Sequence, residues 1–175
     1  MIHFTRLFII AAFAALTLYS CGYSLSRQGS QTGPSEGAHN VSIPMFTNDT
    51  FEPLIERELT SALKDEIALD GRWVLTDAKD ADIAVAGRVV SYELQPLSYD
   101  IKERIQEYRV NIKTEVKVTE VRTGKVIWKE NGIETFSEYR VTRDITKSKI
   151  GKGEAIKKAS KDFADEFIIK VLDSF

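Results

Sequence analysis

The sequence predicts an α+β fold, a mixed, mostly antiparallel four-stranded sheet with two helices packed on one face. Residues 105–121 alternate between apolar and polar side chains, which is typical of a strand with one buried face in an antiparallel sheet. Residues 54–67 and 156–172 instead repeat apolar side chains at intervals of three and four, the period of a helix with one buried stripe. Strands and helices that each have a single apolar face are expected to share one core.

Length and charge narrow the class of protein. The chain has 175 residues, enough for one domain with its own core. Its formal net charge is -2, so nothing draws the molecule as a whole to nucleic acid, and we expect no nucleic-acid partner. Cys21 is the single cysteine, which excludes an intrachain disulfide and a zinc site built from cysteines.

The first residues have the pattern of an export signal. Residues 7–18 contain no charged side chain, and this run is shorter than the ~20 residues that span a bilayer as a helix. The run ends in Leu18, Tyr19, Ser20 and Cys21, which resembles the lipobox of bacterial lipoproteins, although Tyr19 is larger than the usual occupant. The resemblance implies cleavage before Cys21 and acyl chains on that cysteine. An ordinary signal peptide followed by a free thiol is the alternative.

The chain therefore divides into three predicted parts. Residues 1–20 are a signal peptide of the lipoprotein type, and residues 21–38 are a lipidated N-terminus with a flexible tether rich in Gly, Ser and Gln. Residues 39–175 form the single α+β domain. Gly22 follows the cysteine where Asp would retain a lipoprotein at the inner membrane, so we expect a lipid-anchored protein on the periplasmic face of the outer membrane.

Turn and cap residues divide the domain into elements. Pro53 suits the first turn of the first helix, which Gly71 ends, and Pro96 ends a strand that begins near residue 83. A hairpin turn is predicted at residues 122–125. The remaining predicted segments are strands at 41–46, 73–75 (optional) and 126–136, a polar loop at 142–153, and a second helix from about Glu154.

Basic side chains concentrate in two loops that the strand connections bring to one end of the sheet. Residues 95–104 and 139–153 are expected to lie close together, because three successive antiparallel strands place these loops on the same side. Basic groups that converge from two loops can bind phosphate. Solvated loops are also often basic, and that alternative stays open. The candidate residues are Lys102, Arg104, Arg140, Lys147 and Lys149, with Arg143 and Lys152 nearby.

Other charged residues give little sign of catalysis. His39 is the single histidine after the signal, and it lies next to the tether without a second histidine or a cysteine to complete a metal site. No phosphate-binding glycine loop is present in the sequence, and we expect no cofactor, no metal and no enzymatic activity. Arg109, Lys113 and Lys117 share the polar face of one strand, but Glu115 interrupts them, so we interpret this face as solvated or partner-facing.

The order of elements resembles the LptE family of lipopolysaccharide-assembly lipoproteins. The likeness covers nearly all of residues 21–175 and rests on the Cys-Gly-Tyr start, on residues 41–63, and on matches in the central strands. The residues that carry it include Ile43, Pro44, Phe46, Asn48, Thr50, Glu56, Ala81, Asp82, Gly87, Tyr92, Glu107, Tyr108, Thr123, Gly124 and Lys125.

The resemblance implies a specific role. Such a protein supports an LptD-like β-barrel, is held at the membrane by its N-terminal acyl chains, and binds lipopolysaccharide during its assembly into the outer leaflet. The phosphates of lipid A would then be ligands for the basic loops. An accessory lipoprotein of another envelope secretion or lipid-transport machine is the alternative.

Overall fold

The computed structural model describes residues 39–172, so the predicted signal peptide, the tether and Cys21 lie outside the described residues. The elements in chain order are β1 (His39–Ser42), β2 (Thr47–Asn48), α1 (Ile55–Asp70), β3 (Trp73–Leu75), β4 (Ile83–Tyr99), β5 (Ile105–Glu120), β6 (Val126–Arg140) and α2 (Ile145–Leu172). The α+β class and the two helices agree with the sequence prediction.

The sheet differs from the prediction in strand number and orientation. It has six strands in mixed orientation, ordered β3-β1-β4-β5-β6 with β2 also paired to β4, so the prediction of four mostly antiparallel strands is wrong. β1 pairs in parallel with both β3 and β4, and β2 pairs in parallel with β4. The parallel β1–β3 pair follows from its connection, because α1 crosses over the sheet between these two strands.

Both helices cover the same face of the sheet and enclose one core. In β5 the inward residues Val110, Ile112, Thr114, Val116 and Val118 are all buried, as the alternation predicts. Aromatic side chains join the layers edge to face. The ring centroids of Phe46 and Phe163 lie 6.0 Å apart, and those of Trp128 and Phe167 lie 5.6 Å apart.

β4 continues past the proline that was expected to end it. Pro96 lies opposite Tyr108, and the strand runs on to Tyr99. Beyond Val89 the described chain pairs β4 with β5 alone. A proline in a strand with one free edge can leave its missing N–H on the unpaired side, which explains why the sheet accommodates Pro96.

The helix ends also refine the prediction. α2 begins at Ile145, about nine residues before the predicted start, so residues 145–153 are helical and only residues 142–144 of the predicted polar loop remain outside the helix. Gly71 ends α1 as predicted, with a φ of 75° and its N–H donated to the carbonyl of Ile67. Pro53 lies two residues before α1 instead of in its first turn, and Leu54 adopts a φ of 68° at the N-cap.

β6 lies at one edge of the sheet and is irregular. Thr114 pairs with Ile133 and Val116 pairs with Glu130, so Asn131 and Gly132 together lie opposite one residue of β5. This insertion is a β-bulge, which increases the local twist of the strand. A second register shift follows near Val126.

Candidate functional site

The two loops that the sequence places together do meet at one end of the domain, which we call the tip. The tip consists of the β4–β5 turn at residues 100–104, the last residues of β6, residues 141–144 and the first turns of α2. In the β5–β6 ladder the backbone of Arg140 lies opposite that of Glu107, and the backbone N–H of Val141 donates to the carbonyl of Gln106 at 2.8 Å. All five predicted basic residues therefore lie on the tip.

The β4–β5 turn is organised by Asp100. Its carboxylate accepts hydrogen bonds from the backbone N–H groups of Lys102 at 2.8 Å and Arg104 at 3.0 Å. It also accepts from Nε and Nη2 of Arg104 at 2.8 and 2.6 Å, and these side-chain bonds are the main reason that the pKa of Asp100 lies below its usual value. The guanidinium of Arg104 is thus engaged within the turn, while the side chain of Lys102 is exposed.

Arg140, Lys147 and Lys149 are exposed cations without an ion-pair partner within residues 39–172. Asp144 fixes the start of the helix that carries Lys147 and Lys149. Its carboxylate accepts hydrogen bonds from the backbone N–H groups of Thr146 at 2.9 Å and Lys147 at 3.2 Å. This is the geometry of a helix N-cap. Lys147 and Lys149 therefore project from a capped helix instead of from the loop that the sequence predicts.

The polar face of the sheet has a different electrostatic character, because its cations pair with acids on neighbouring strands. Arg88 contacts both Asp49 at 3.2 Å and Glu115 at 2.7 Å. Lys113 lies 2.8 Å from Glu134, and Arg109 lies 2.7 Å from Glu138. Hydrogen bonds across these pairs raise the pKa of Arg88 and of Lys113. Two of the three cations in the predicted second patch, Arg109 and Lys113, are thus already neutralised.

A partly buried ion pair connects the segment before α1 to α2. Nζ of Lys152 lies 2.6 Å from Oε2 of Glu52 and 5.4 Å from the ring centroid of Tyr92. The hydroxyl of Tyr92 is buried and has no hydrogen-bond partner among the residues that the structure describes, and burial is the main cause that raises its pKa. Lys152, one of the basic residues of the predicted loop, therefore joins structural elements together.

Beside this pair, a cleft of about 630 Å³ opens between the segment before α1 and the first turns of α2. Leu54, Ile150 and Ile156 contribute to its apolar wall, and Lys149 and Lys157 to its rim. Leu54 and Ile150 are 52% and 56% exposed. Sequence reasoning missed the cleft, because the apolar residues of 145–153 do not follow a helical period and two of the residues there are glycines.

Other kinds of site find no support in residues 39–172. That part of the chain contains no cluster of His, Cys, Asp and Glu side chains that could hold a metal ion. His39 is the exposed first residue of β1 and pairs with Trp73 across the sheet. None of the helices described is long and apolar enough to cross a membrane.

These features define the class as a two-layer α+β domain with unpaired cations at one end. The same fold occurs in solved lipoproteins. Rare lipoprotein B from Shewanella oneidensis is 19% identical, with a TM-score of 0.53 over 78% of this chain and 95% of that one. Lipoprotein B from Nitrosomonas europaea is 15% identical (TM-score 0.51; 75% and 80% covered), and a minor lipoprotein from Acinetobacter baumannii is 14% identical (TM-score 0.50; 76% and 90% covered).

The family follows from the sequence itself. The model of the LptE family, described as lipopolysaccharide-assembly, matches residues 38–171, and the chain therefore belongs to this family. No curated protein sequence matches the chain significantly. The resemblance inferred from the strand and turn residues is confirmed.

Proposed function

We propose that this chain is an outer-membrane lipoprotein that supports an LptD-like β-barrel and binds lipopolysaccharide during its assembly into the outer leaflet. The observation that carries the proposal is the family match, which spans residues 38–171 and so includes all the described strands and helices except the last residue of α2. In this proposal the acyl chains on Cys21 hold the protein on the periplasmic face of the outer membrane, and the domain acts by binding, without catalysis.

The tip is the surface that we propose for lipopolysaccharide. Lys102, Arg140, Lys147 and Lys149 are exposed and unpaired within the described residues, so their charges are available to an anionic ligand. Arg104 completes the set and would have to exchange its bond to Asp100 for one to a phosphate. Lysine binds phosphate as a point charge and arginine as a planar fork, so both types suit a phosphorylated lipid.

The proposed barrel partner is tested by purification from native membranes. Tagged full-length chain, solubilised with a non-ionic detergent, should bring down one large β-barrel protein in a stable complex. Recovery of a different envelope assembly would favour the alternative of an accessory lipoprotein for another machine. Recovery of the chain without any barrel would contradict the proposed partnership.

The proposed lipid site is tested by charge reversal at the two ends of the domain. In the triple variant Lys102→Glu, Lys147→Glu, Lys149→Glu, the amount of bound lipopolysaccharide should fall by a factor of about ten or more relative to the native chain. The reason is the loss of three exposed cation–phosphate contacts. The matched control replaces the exposed cations Lys79, Arg122 and Lys125 of the opposite end with Glu. Equal losses in both triple variants would mean that net charge, and not the tip, governs binding.

A further inference from the structure

The cleft beside the tip has the composition of a site for an amphiphile. Its wall is apolar, and its volume of about 630 Å³ lies within the range of ordinary ligand pockets. Four basic and three acidic residues line it, so its net charge is positive. Arg57 lies 3.7 Å from Glu58, and Lys152 is paired with Glu52. Within residues 39–172, Lys149 and Lys157 thus remain as unpaired cations of the rim, and Glu154 as an unpaired acid.

The two apolar side chains at the mouth of the cleft occupy energetically unfavourable positions. Leu54 adopts a left-handed φ of 68°, a conformation that branched, bulky residues avoid, and yet about half of its side chain is exposed to water. Ile150 is similarly exposed on a part of α2 where no residue before Ala155 is buried. Neither side chain is fully buried in the core, and both line the same cleft.

We propose that this cleft binds one acyl chain of a phosphorylated lipid whose anionic group lies against Lys149 and Lys157. Charge identifies the occupant, because an apolar wall with unpaired cations at its rim complements a hydrocarbon chain that ends in a negative group. Lys149 belongs both to this rim and to the tip, so one lipid molecule can contact both surfaces. The inference rests on the proposed binding of lipopolysaccharide and assigns to it a second, apolar contact.

Photocrosslinking in cells tests the occupant directly. A benzophenone amino acid replaces Ile150 in the full-length chain, and in the control it replaces Ile169, which lies further along α2 and is 63% exposed. After irradiation, a covalent adduct with lipopolysaccharide is expected at position 150 and not at position 169. Adducts with protein alone at position 150, or equal lipid adducts at both positions, would overturn the acyl-chain assignment.

A substitution that relieves the backbone separates binding from folding. Asparagine tolerates a left-handed φ better than leucine, so Leu54→Asn should leave the unfolding temperature unchanged or higher. The lipopolysaccharide recovered per mole of purified protein should nevertheless fall about tenfold, the loss expected when roughly two methylene groups leave an apolar contact. Leu69→Asn, at a residue that is 79% exposed near the far end of α1, is the matched control.

The outcomes also separate this inference from the proposed function. If lipopolysaccharide copurifies with the native chain but Leu54→Asn retains all of it, the cleft assignment is wrong and the tip remains the proposed site. If no lipopolysaccharide copurifies with the native chain, the proposed function fails and the cleft assignment fails with it.

Discussion

Phe46 lies against Gly87 of β4, and this contact shows how a single residue sets the distance between the sheet and its helices. A Cβ atom built on Gly87 would overlap three atoms of the Phe46 ring. The ring is 3% exposed and contacts Phe163 of α2 edge to face. It therefore has little freedom to move away, because interiors are packed as densely as organic crystals.

Gly87→Ala should consequently destabilise the domain by about 1–3 kcal/mol, the usual cost of inserting a methyl group into a packed core. Gly132→Ala is the matched control, because the nearest atoms that a Cβ there would meet all belong to the long side chain of Lys113, with Cε 2.5 Å away near its far end. Chemical denaturation of both variants measures the difference. A loss of stability as large at Gly132 as at Gly87 would show that the Phe46 contact is not the cause.

Asp100 gives a prediction for pH. Because hydrogen bonds from Arg104 lower its pKa in the folded turn, the turn is stabilised above the unfolded pKa and loses that stabilisation as the pH falls through the folded pKa. The amide resonances of Lys102 and Arg104 should therefore shift cooperatively in a titration, with a midpoint below 3.8, the ordinary value for Asp. In Asp100→Asn the same resonances should not titrate in this range.

Among the elements, α2 is divided into two unequal parts. Every buried residue of the helix lies at Ala155 or beyond, and residues 145–154 are exposed or half-buried. Gly151 and Gly153 fall in this first part, where each costs about 1 kcal/mol of helix stability relative to alanine. The start of α2 therefore depends on the Asp144 cap and on the Lys152–Glu52 pair.

Gly153→Ala should stabilise the start of α2 by about 0.5–1 kcal/mol, because a Cβ atom there has open space around it. The measurement is amide hydrogen exchange of residues 146–150, which should slow in the variant. Gly71→Ala provides the opposite case. It also has open space, but its φ of 75° strains alanine, so this variant should lose stability. A gain at both positions would contradict the role assigned to backbone conformation.

The length of an element decided whether the sequence could predict it. β5 and α1 are long enough to show their periods, and Gly71 signals its turn locally. β1, β2 and β3 have four, two and three residues, too few for alternation to be read. The sequence therefore placed β1 at 41–46 and β3 only as an optional strand, and it missed both β2 and the parallel pairing of these strands. The start of α2 was missed for a related reason, because a helical segment without a buried stripe leaves no apolar period.

At the scale of the whole molecule, the connections between strands predicted which loops meet, and the structure brings them together at the tip. The pairing of individual charges could not be predicted. Arg104 is bound to Asp100 four residues earlier in the chain, whereas Lys147 and Lys149 are free within the described residues. The cleft forms where residues 52–58 and 149–157 do not pack fully against each other. These segments are far apart in the chain, so no local sequence pattern predicts the gap between them. The five basic residues stay a prediction as a lipopolysaccharide site.

The proposed anchor and the domain are expected to be independent. Replacing residues 1–21 with an ordinary secretory signal, which is cleaved without lipidation, removes the thiol that would carry the lipid, so the chain, expressed in excess of its partner, should move from the membrane fraction to the soluble fraction. The unfolding temperature of the domain should not change, since its buried core begins at Val41. Fractionation and intact-mass measurement test this. A native chain with the mass of the unmodified polypeptide, or a replaced chain that remains in the membrane fraction, would contradict lipidation of Cys21.

The irregular edge of β6 bears on whether copies of the protein can pair through their edge strands when they are concentrated. Sheets that end in a long, straight strand can recruit the same strand from another copy and grow into aggregates. Here the bulge at Asn131 and Gly132 interrupts the row of backbone donors and acceptors, and Lys129, Glu130 and Glu134 add charge beside it. Separate copies at high local density are therefore expected not to pair edge to edge through β6.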